Sequence, residues 1–217
     1  MKPDRALGSP GATAAVLLAL LFATPGLATQ EYILPTLFDV TGVAADDVLN
    51  IRSAPNASAS VVATLSSRAR DVEVVGLDDT GQWGRVTAGE VTGWARLAFL
   101  AYQSEVWGPQ TLPPTLHCLG TEPFWSLRPG GDGLVFAMPE APETALQITQ
   151  VLTSGVFRDP RRTVLAQGAA GPLTAVIVPM ACSDGMSDRS YGLDVTLILQ
   201  GLDRPHMLTG CCSIAPN

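Results

Sequence analysis

Lysine is almost absent from this chain of 217 residues, because Lys2 is the only one and arginines supply the rest of the basic charge. Charged residues make up 15% of the sequence, against roughly 25% in an average domain. There are 13 basic and 20 acidic residues, so the formal net charge is −7. A nucleic-acid-binding protein needs a basic surface, and we therefore expect no nucleic-acid partner.

Cysteine is absent before residue 118, and long apolar runs are absent after residue 28. Apolar residues form 47% of the chain, and this proportion together with the low charge argues against disorder. The 21 glycines and 17 prolines argue against a coiled coil or a long helical bundle, since both residue types interrupt helices. Short strands joined by tight turns suit this composition better, and we expect an all-β protein.

Residues 1–28 have the layout of a secretory signal peptide. Lys2 and Arg5 form a positive start, residues 14–23 form an apolar core, and Ala28 follows as a small residue at the cleavage position. The core is shorter than the ~20 residues that cross a bilayer, although an uncleaved anchor remains the alternative. We expect an exported protein with no membrane span after cleavage.

Four cysteines, Cys118, Cys182, Cys211 and Cys212, all fall in the second half of the chain. An even number of cysteines in an exported protein predicts two disulfides. Adjacent cysteines seldom bridge each other, so Cys211 and Cys212 each pair with one of the other two, in either order. The two histidines lack the spacing of zinc ligands, and no zinc site is predicted.

Three prolines between residues 107 and 114 divide the chain into two modules. Such a segment suits an extended linker better than a strand or a helix. We place the first module at residues 36–102, a proline-rich linker at 103–114 and the second, cysteine-containing module at 115–217. Each contains short apolar runs separated by turn residues, which predicts a small barrel or sandwich for the first module and a second antiparallel β-barrel-like domain after it.

The first module carries three segments that resemble the bacterial SH3 domain family. They are Leu49-Asn50-Ile51-Arg52-Ser53-Ala54-Pro55, Gln82-Trp83-Gly84-Arg85-Val86 and Thr92-Gly93-Trp94-Ala95. The resemblance implies a small barrel from an exported bacterial protein and, for some members, binding of peptidoglycan peptides. Trp83 and Trp94 either cap the barrel core or line an aromatic groove for peptide or glycan. Arg52 either braces the barrel or pairs with a ligand carboxylate.

The second module contains three motifs: Gly120-Thr121-Glu122-Pro123-Phe124-Trp125, Cys182-Ser183-Asp184-Gly185-Met186-Ser187-Asp188-Arg189 followed by Tyr191, and Leu208-Thr209-Gly210-Cys211-Cys212. In this order they resemble a family of uncharacterised exported bacterial proteins related to META-type small β domains. The recurrence of cysteines in that family implies the pairings Cys182–Cys211 and Cys118–Cys212. In this chain Gly192 follows Tyr191 where the family commonly has proline.

These motifs predict a ligand pocket, a structural turn or a cation site. Phe124 and Trp125 should lie on opposite faces of a strand. Glu122 is either buried and paired with Arg189 or exposed at the strand entry. The candidate ligand-binding residues of the module are Glu122, Trp125, Asp184, Asp188, Arg189 and Tyr191. Asp184 and Ser187 are also typical of a self-bonded turn, and the carboxylates are too sparse for a calcium loop.

No nucleophile elbow and no phosphate-binding glycine loop occurs in the sequence, and we expect neither enzymatic activity nor a cofactor. The composition and motifs favour a cell-envelope protein. Its first module would bind peptidoglycan or a protein partner, and its second would bind a ligand or partner. One alternative is an inhibitor or stress-response factor that acts on another envelope protein. Another is a wall hydrolase that uses Glu122 and Asp184.

Overall fold

The computed structural model describes residues 31–201 and 204–216, which form two β-sheets with no α-helix among them. The predicted signal peptide, residues 1–28, lies outside the described residues. Nothing helical in this described part has the length and apolarity that a bilayer crossing requires. The first sheet comprises β1 (Thr36–Val40), β2 (Val48–Arg52), β3 (Val61–Ser66), β4 (Val72–Leu77), β5 (Trp83–Ala88), β6 (Val91–Arg96), the short 3-10 helix η1 (Leu97–Phe99) and β7 (Leu100–Tyr102).

The strands of the first sheet lie in the order β3-β2-β6-β5-β4-β1-β7, and all neighbours are antiparallel. Side chains alternate between the two faces of each strand, and those of Val74, Val86 and Ala95 lie on the buried face. There they form an apolar cluster with Phe38. β2 to β6 coincide with the short apolar runs that the sequence places between turn residues. β1 and β7 were not predicted as strands, and they pair with each other across most of the module.

Eight further strands form a closed antiparallel barrel. They are β8 (His117–Thr121), β9 (Phe124–Gly130), β10 (Gly133–Ala137), β11 (Thr144–Thr153), β12 (Arg162–Gly168), β13 (Gly171–Cys182), β14 (Tyr191–Leu199) and β15 (His206–Ser213). The barrel closes because β8 pairs with both β9 and β15, the last strand. Leu193, Val195 and Leu197 of β14 are fully buried in its interior, as their alternation predicts.

The predicted all-β architecture is therefore confirmed. The sequence of residues 140–151 and that of the stretch after Pro160 are compatible with either a helix or a strand. Both segments contribute to strands, β11 and β12. Both segments are strands because a neighbouring strand on each side satisfies the hydrogen-bonding groups of their backbone.

Both predicted disulfides are present. Cys118 is bonded to Cys212, and Cys182 is bonded to Cys211. Cys118 and Cys212 are direct partners in the β8–β15 ladder and belong to the barrel core. The other bond ties the end of β13 to the outer face of β15.

Residues 103–116 connect the two sheets without regular secondary structure. This proline-rich segment is held in place, because Arg162 donates hydrogen bonds to the carbonyls of Gly108 (2.9 Å) and Thr111 (3.2 Å). The guanidinium of Arg162 also lies 5.2 Å from the centre of the Trp107 ring. Trp107 in turn donates from Nε1 to the Pro35 carbonyl at 2.7 Å. The predicted linker thus packs against both modules.

A buried carboxyl group lies where the two modules meet. Glu73 of β4 is 8% exposed, accepts a hydrogen bond from the Ser213 hydroxyl and accepts another from the Ile214 N–H at 3.2 Å. A second polar contact joins Ser190 N–H to the Thr92 hydroxyl oxygen at 2.8 Å. Burial raises the pKa of Glu73, and the hydrogen bond from Ser213 only partly offsets this effect.

We predict that Glu73→Gln makes the protein more stable than the wild type at neutral pH. A carboxyl whose folded pKa is raised contributes its stability below its unfolded pKa, and this contribution is lost as pH rises through the folded pKa. Glutamine keeps an acceptor for the Ile214 N–H and never ionises. The melting temperatures of the two proteins should be similar at about pH 4, and the variant's advantage should grow toward about pH 8.

Glu140→Gln is the matched control, because Glu140 is exposed in the turn after β10. It should change the melting temperature little at any pH. A pH-independent difference between wild type and Glu73→Gln would contradict the interpretation.

Candidate functional site

A groove on the first sheet brings together three of its strand ends. Trp83 begins β5, and Arg96, the last residue of β6, is its partner in the ladder. The Arg96 guanidinium lies 5.5 Å from the centre of the Trp83 ring. Arg52, at the end of β2, and Phe99 of η1 complete a cavity of about 540 Å³. The groove therefore presents two cations and one carboxylate residue, Asp47, beside aromatic surface.

Arg52 has a structural contact in this groove. Its Nη1 donates to the Ala59 carbonyl at 2.8 Å and so fixes the loop between β2 and β3. This contact is consistent with a bracing role, although it holds a loop and not the barrel strands. The guanidinium also lines the cavity.

The two predicted tryptophans have different positions. Trp83 is 6% exposed but lies outside the buried apolar cluster of the first module, and it lines the groove. Trp94 is half-buried on β6, where its ladder partners are Arg52 and Arg85, and it is absent from the groove wall. Arg96 lines the groove, whereas Trp94 does not. Its position two residues after Trp94, on the same face of β6, was the available signal.

In the second module the three sequence motifs meet around one cleft of about 760 Å³. Its walls are residues 119–122 with Phe124, residues 183–186 and residues 209–211. The pairing of Leu119 with Cys211 and the Cys182–Cys211 disulfide bring these distant segments together. Of the predicted residues, Glu122 and Asp184 line this cleft.

Asp184 is occupied by its own loop. Its carboxylate accepts hydrogen bonds from the N–H groups of Met186 (3.0 Å) and Ser187 (2.9 Å), the Ser187 hydroxyl (2.8 Å) and the Tyr191 hydroxyl (3.2 Å). Desolvation alone would raise the pKa of Asp184, but these hydrogen bonds lower it below its usual value. The Thr121 hydroxyl donates to the Asp184 carbonyl at 3.0 Å. The predicted self-bonded turn is present.

Of the two alternatives for Glu122, the structure shows the exposed one and not the buried pairing with Arg189. Glu122 is exposed in the turn between β8 and β9, where water solvates the carboxylate and no partner is required. Arg189 instead lies 4.0 Å from Glu90 of the first module and 5.6 Å from the centre of the Tyr191 ring. Tyr191 is buried, and desolvation raises its pKa. Asp188 is exposed.

Trp125 lies inside the barrel, away from the cleft surface. It is 4% exposed, whereas the adjacent Phe124 is 53% exposed, so the prediction of opposite faces is confirmed. The Trp125 ring packs directly against two glycines, Gly120 and Gly210, each from a different motif. A Cβ on Gly120 would lie 2.0 Å from Trp125 Nε1, and one on Gly210 would lie 2.8 Å from Cζ2. Within the described residues, Nε1 has no hydrogen-bond acceptor.

Sequence reasoning missed Glu73 and Arg162. Each is a charged residue within or at the start of an apolar strand, and this was the only sequence signal of their burial. Across residues 31–201 and 204–216, no cluster of three or more metal-ligating side chains occurs. The four cysteines are all bonded.

Comparison with known proteins identifies part of the chain. No curated protein and no solved structure gives a significant match. The resemblance of residues 115–217 to uncharacterised exported proteins is unsupported by these comparisons and stays a prediction. The model of the bacterial SH3 domain family matches residues 47–101, a range that includes Arg52, Trp83 and Arg96. The chain therefore contains a bacterial SH3 domain, and the groove belongs to it.

Proposed function

We propose that this protein is exported and acts without catalysis in the cell envelope, where its SH3 domain binds a carboxylate-bearing peptide of peptidoglycan or of a protein partner. The groove of Trp83, Arg52 and Arg96 carries the proposal. A bacterial SH3 domain suggests a peptidoglycan- or protein-binding module. The signal peptide predicted from residues 1–28 supports a periplasmic or secreted location.

The chemistry of the groove favours a short peptide with a free carboxylate. Arginine presents several N–H donors in a planar array that matches a carboxylate. Phe99, which is 39% exposed, offers apolar surface to the body of the peptide beside the nearly buried Trp83. A ligand with one negative end and an apolar side chain would use both parts of the groove.

The second module supports a binding role more than a hydrolytic one. A wall hydrolase using Glu122 and Asp184 would need both carboxylates available to substrate, yet Asp184 already accepts hydrogen bonds within its own loop. Phe124 and Met186, which are 53% and 69% exposed, border the same cleft. These exposed apolar side chains favour, as the second candidate function, an inhibitor or stress-response factor that contacts another envelope protein.

We predict that Arg96→Gln weakens binding of purified peptidoglycan about tenfold or more, because a charge-assisted hydrogen bond contributes about 1.5–3 kcal/mol. Co-sedimentation of the protein lacking residues 1–28 with purified wall sacculi measures the dissociation constant. Added salt should weaken binding of the wild type more than that of the variant.

Arg68→Gln is the control, since Arg68 is exposed on the same domain and lies outside the groove. It removes the same charge and should leave binding nearly unchanged. Equal losses in the two variants would indicate non-specific charge attraction and would contradict the groove assignment. Absence of wall binding by the wild type would favour the protein-partner alternative.

A further inference from the structure

The interior of the eight-stranded barrel is accessible at one end. The inward-facing residues nearest that end are Phe136 of β10, Leu146 of β11, Leu173 of β13 and Leu199 of β14. Together with the turns beyond these strands they surround a cavity of about 220 Å³. The cavity is a continuation of the barrel core and is separate from the SH3 groove and from the cleft at Asp184.

The opposite end of the barrel is filled. Leu116 and Ile214 pack into the same core cluster there, and Leu37 of the SH3 module joins them. Val106, Trp107 and Leu112 of the connecting segment cover this end further. The cavity therefore lies at the end of the barrel away from the SH3 module.

Gly168 lies at an inward-facing position of β12 on the wall of the cavity, where a Cβ would lie 2.6 Å from the Leu146 Cδ2 atom. The glycine therefore lets the Leu146 side chain pack against the β12 backbone, and any larger residue here would displace that side chain. An eight-stranded barrel is near the size at which side chains alone can fill the interior. The cavity is the part of this end that the side chains present leave unfilled.

The chemistry of the cavity is almost wholly apolar. Among the described residues that line it, Thr144 has the only polar side chain and none is charged. An apolar cavity of about 150 Å³ is already large enough to bind benzene and stay free of water. A volume of about 220 Å³ thus accommodates one ring or a short alkyl chain.

We propose that the open end of the barrel is a binding site for an uncharged apolar group, either a free small molecule or the end of an acyl chain. Burial of such a group removes apolar surface of ligand and protein from water together. With no charged side chain among the described lining residues, a carboxylate or an amine would lose its hydration without a partner. The site therefore selects against charged groups.

Methionine methyl NMR tests this proposal on the folded protein. Among the methionines that the structure describes, Met138 alone lines the cavity, while Met180, Met186 and Met207 are 54%, 69% and 69% exposed elsewhere. In protein labelled with ¹³C at the methionine methyls, 1-octanol should shift the Met138 signal saturably. The three exposed methionines act as internal controls and should shift little. No saturable shift at Met138, or equal shifts at all four, would overturn the proposal.

A cavity-filling variant sharpens the test. Leu199→Trp places a large ring into the opening, whereas Ile198→Trp adds the same ring on the outer face of the same strand. The first should weaken octanol binding at least about tenfold, and the second should not. Unchanged affinity in folded Leu199→Trp would contradict the assignment. If that variant does not fold, Ala170→Trp, in the exposed turn at the rim, must weaken binding or the proposal fails.

The two sources of the ligand are separated by a second titration. Vesicles of phosphatidylethanolamine and phosphatidylglycerol supply acyl chains without a free small molecule. A Met138 shift with vesicles as well as with octanol supports a lipid chain as the occupant. A shift with octanol alone supports a free small molecule.

Discussion

Replacing Cys118 and Cys212 together by alanine should lower the free energy of unfolding by about 4–5 kcal/mol. The bond spans 94 residues, and in the chain-entropy model the constraint on the unfolded chain grows with the logarithm of the loop length. Urea unfolding followed by tryptophan fluorescence, with the oxidised wild type as reference, measures the loss.

Cys182 and Cys211 provide the matched comparison within the same protein. Their bond spans 29 residues, and the same model gives about 3–4 kcal/mol for it. The pair Cys118–Cys212 also lies in the barrel core, so alanine at these positions removes buried sulfur as well as the cross-link. A larger loss from the 182–211 pair would contradict both arguments.

Trp125→Ala should lower the free energy of unfolding by about 3–5 kcal/mol, the usual range for removing a buried large aromatic side chain. Trp125 lies in the barrel core, with its ring centroid 6.4 Å from that of Phe136. The backbones of Gly120 and Gly210 lie close to the indole. The surroundings are rigid strands that cannot collapse fully into the space, so a cavity should remain. Chemical denaturation gives the value directly.

Phe124→Ala is the control, because it removes an aromatic ring from the preceding position of the same strand. Phe124 is 53% exposed, and its loss should change stability by less than about 1 kcal/mol. Comparable losses in the two variants would mean that the opposite-face assignment of this dipeptide is wrong. Trp125→Phe should cost less than Trp125→Ala, since it keeps most of the ring and removes the Nε1 donor that has no acceptor among the described residues.

The strands were the most predictable part of the fold. Alternation in segments such as residues 193–199 is set by burial on one face, and the period of two is visible in the sequence itself. β1 and β7 escaped prediction because their stability comes from pairing with each other across more than sixty residues. Local patterns contain no information about such a partner.

The candidate sites were predictable only where family motifs or strand ends mark them. Arg52 and Trp83 lie together as the SH3 motifs suggest, whereas Arg96 enters through the strand register. For Glu122 the sequence left two alternatives, burial beside Arg189 or exposure. It could not choose between them, because a local pattern does not show whether a turn carboxylate faces water. The barrel opening was not foreseen at all, since it depends on which inward positions share one layer of a closed sheet.

Closure of the barrel by its last strand has a consequence for biosynthesis. β8 cannot pair with β15 until β15 has been synthesised. Cys212 follows Cys118 by 94 residues, and synthesis of that stretch takes about 5–20 s at typical rates of chain elongation. Cys182 is synthesised before Cys211 and Cys212, so during that interval it is the first thiol available to Cys118. A nascent chain that oxidises early would therefore join Cys118 to Cys182, and reaching the native pairing would require thiol–disulfide exchange. The yield of native protein should thus depend on an isomerase as well as on an oxidant.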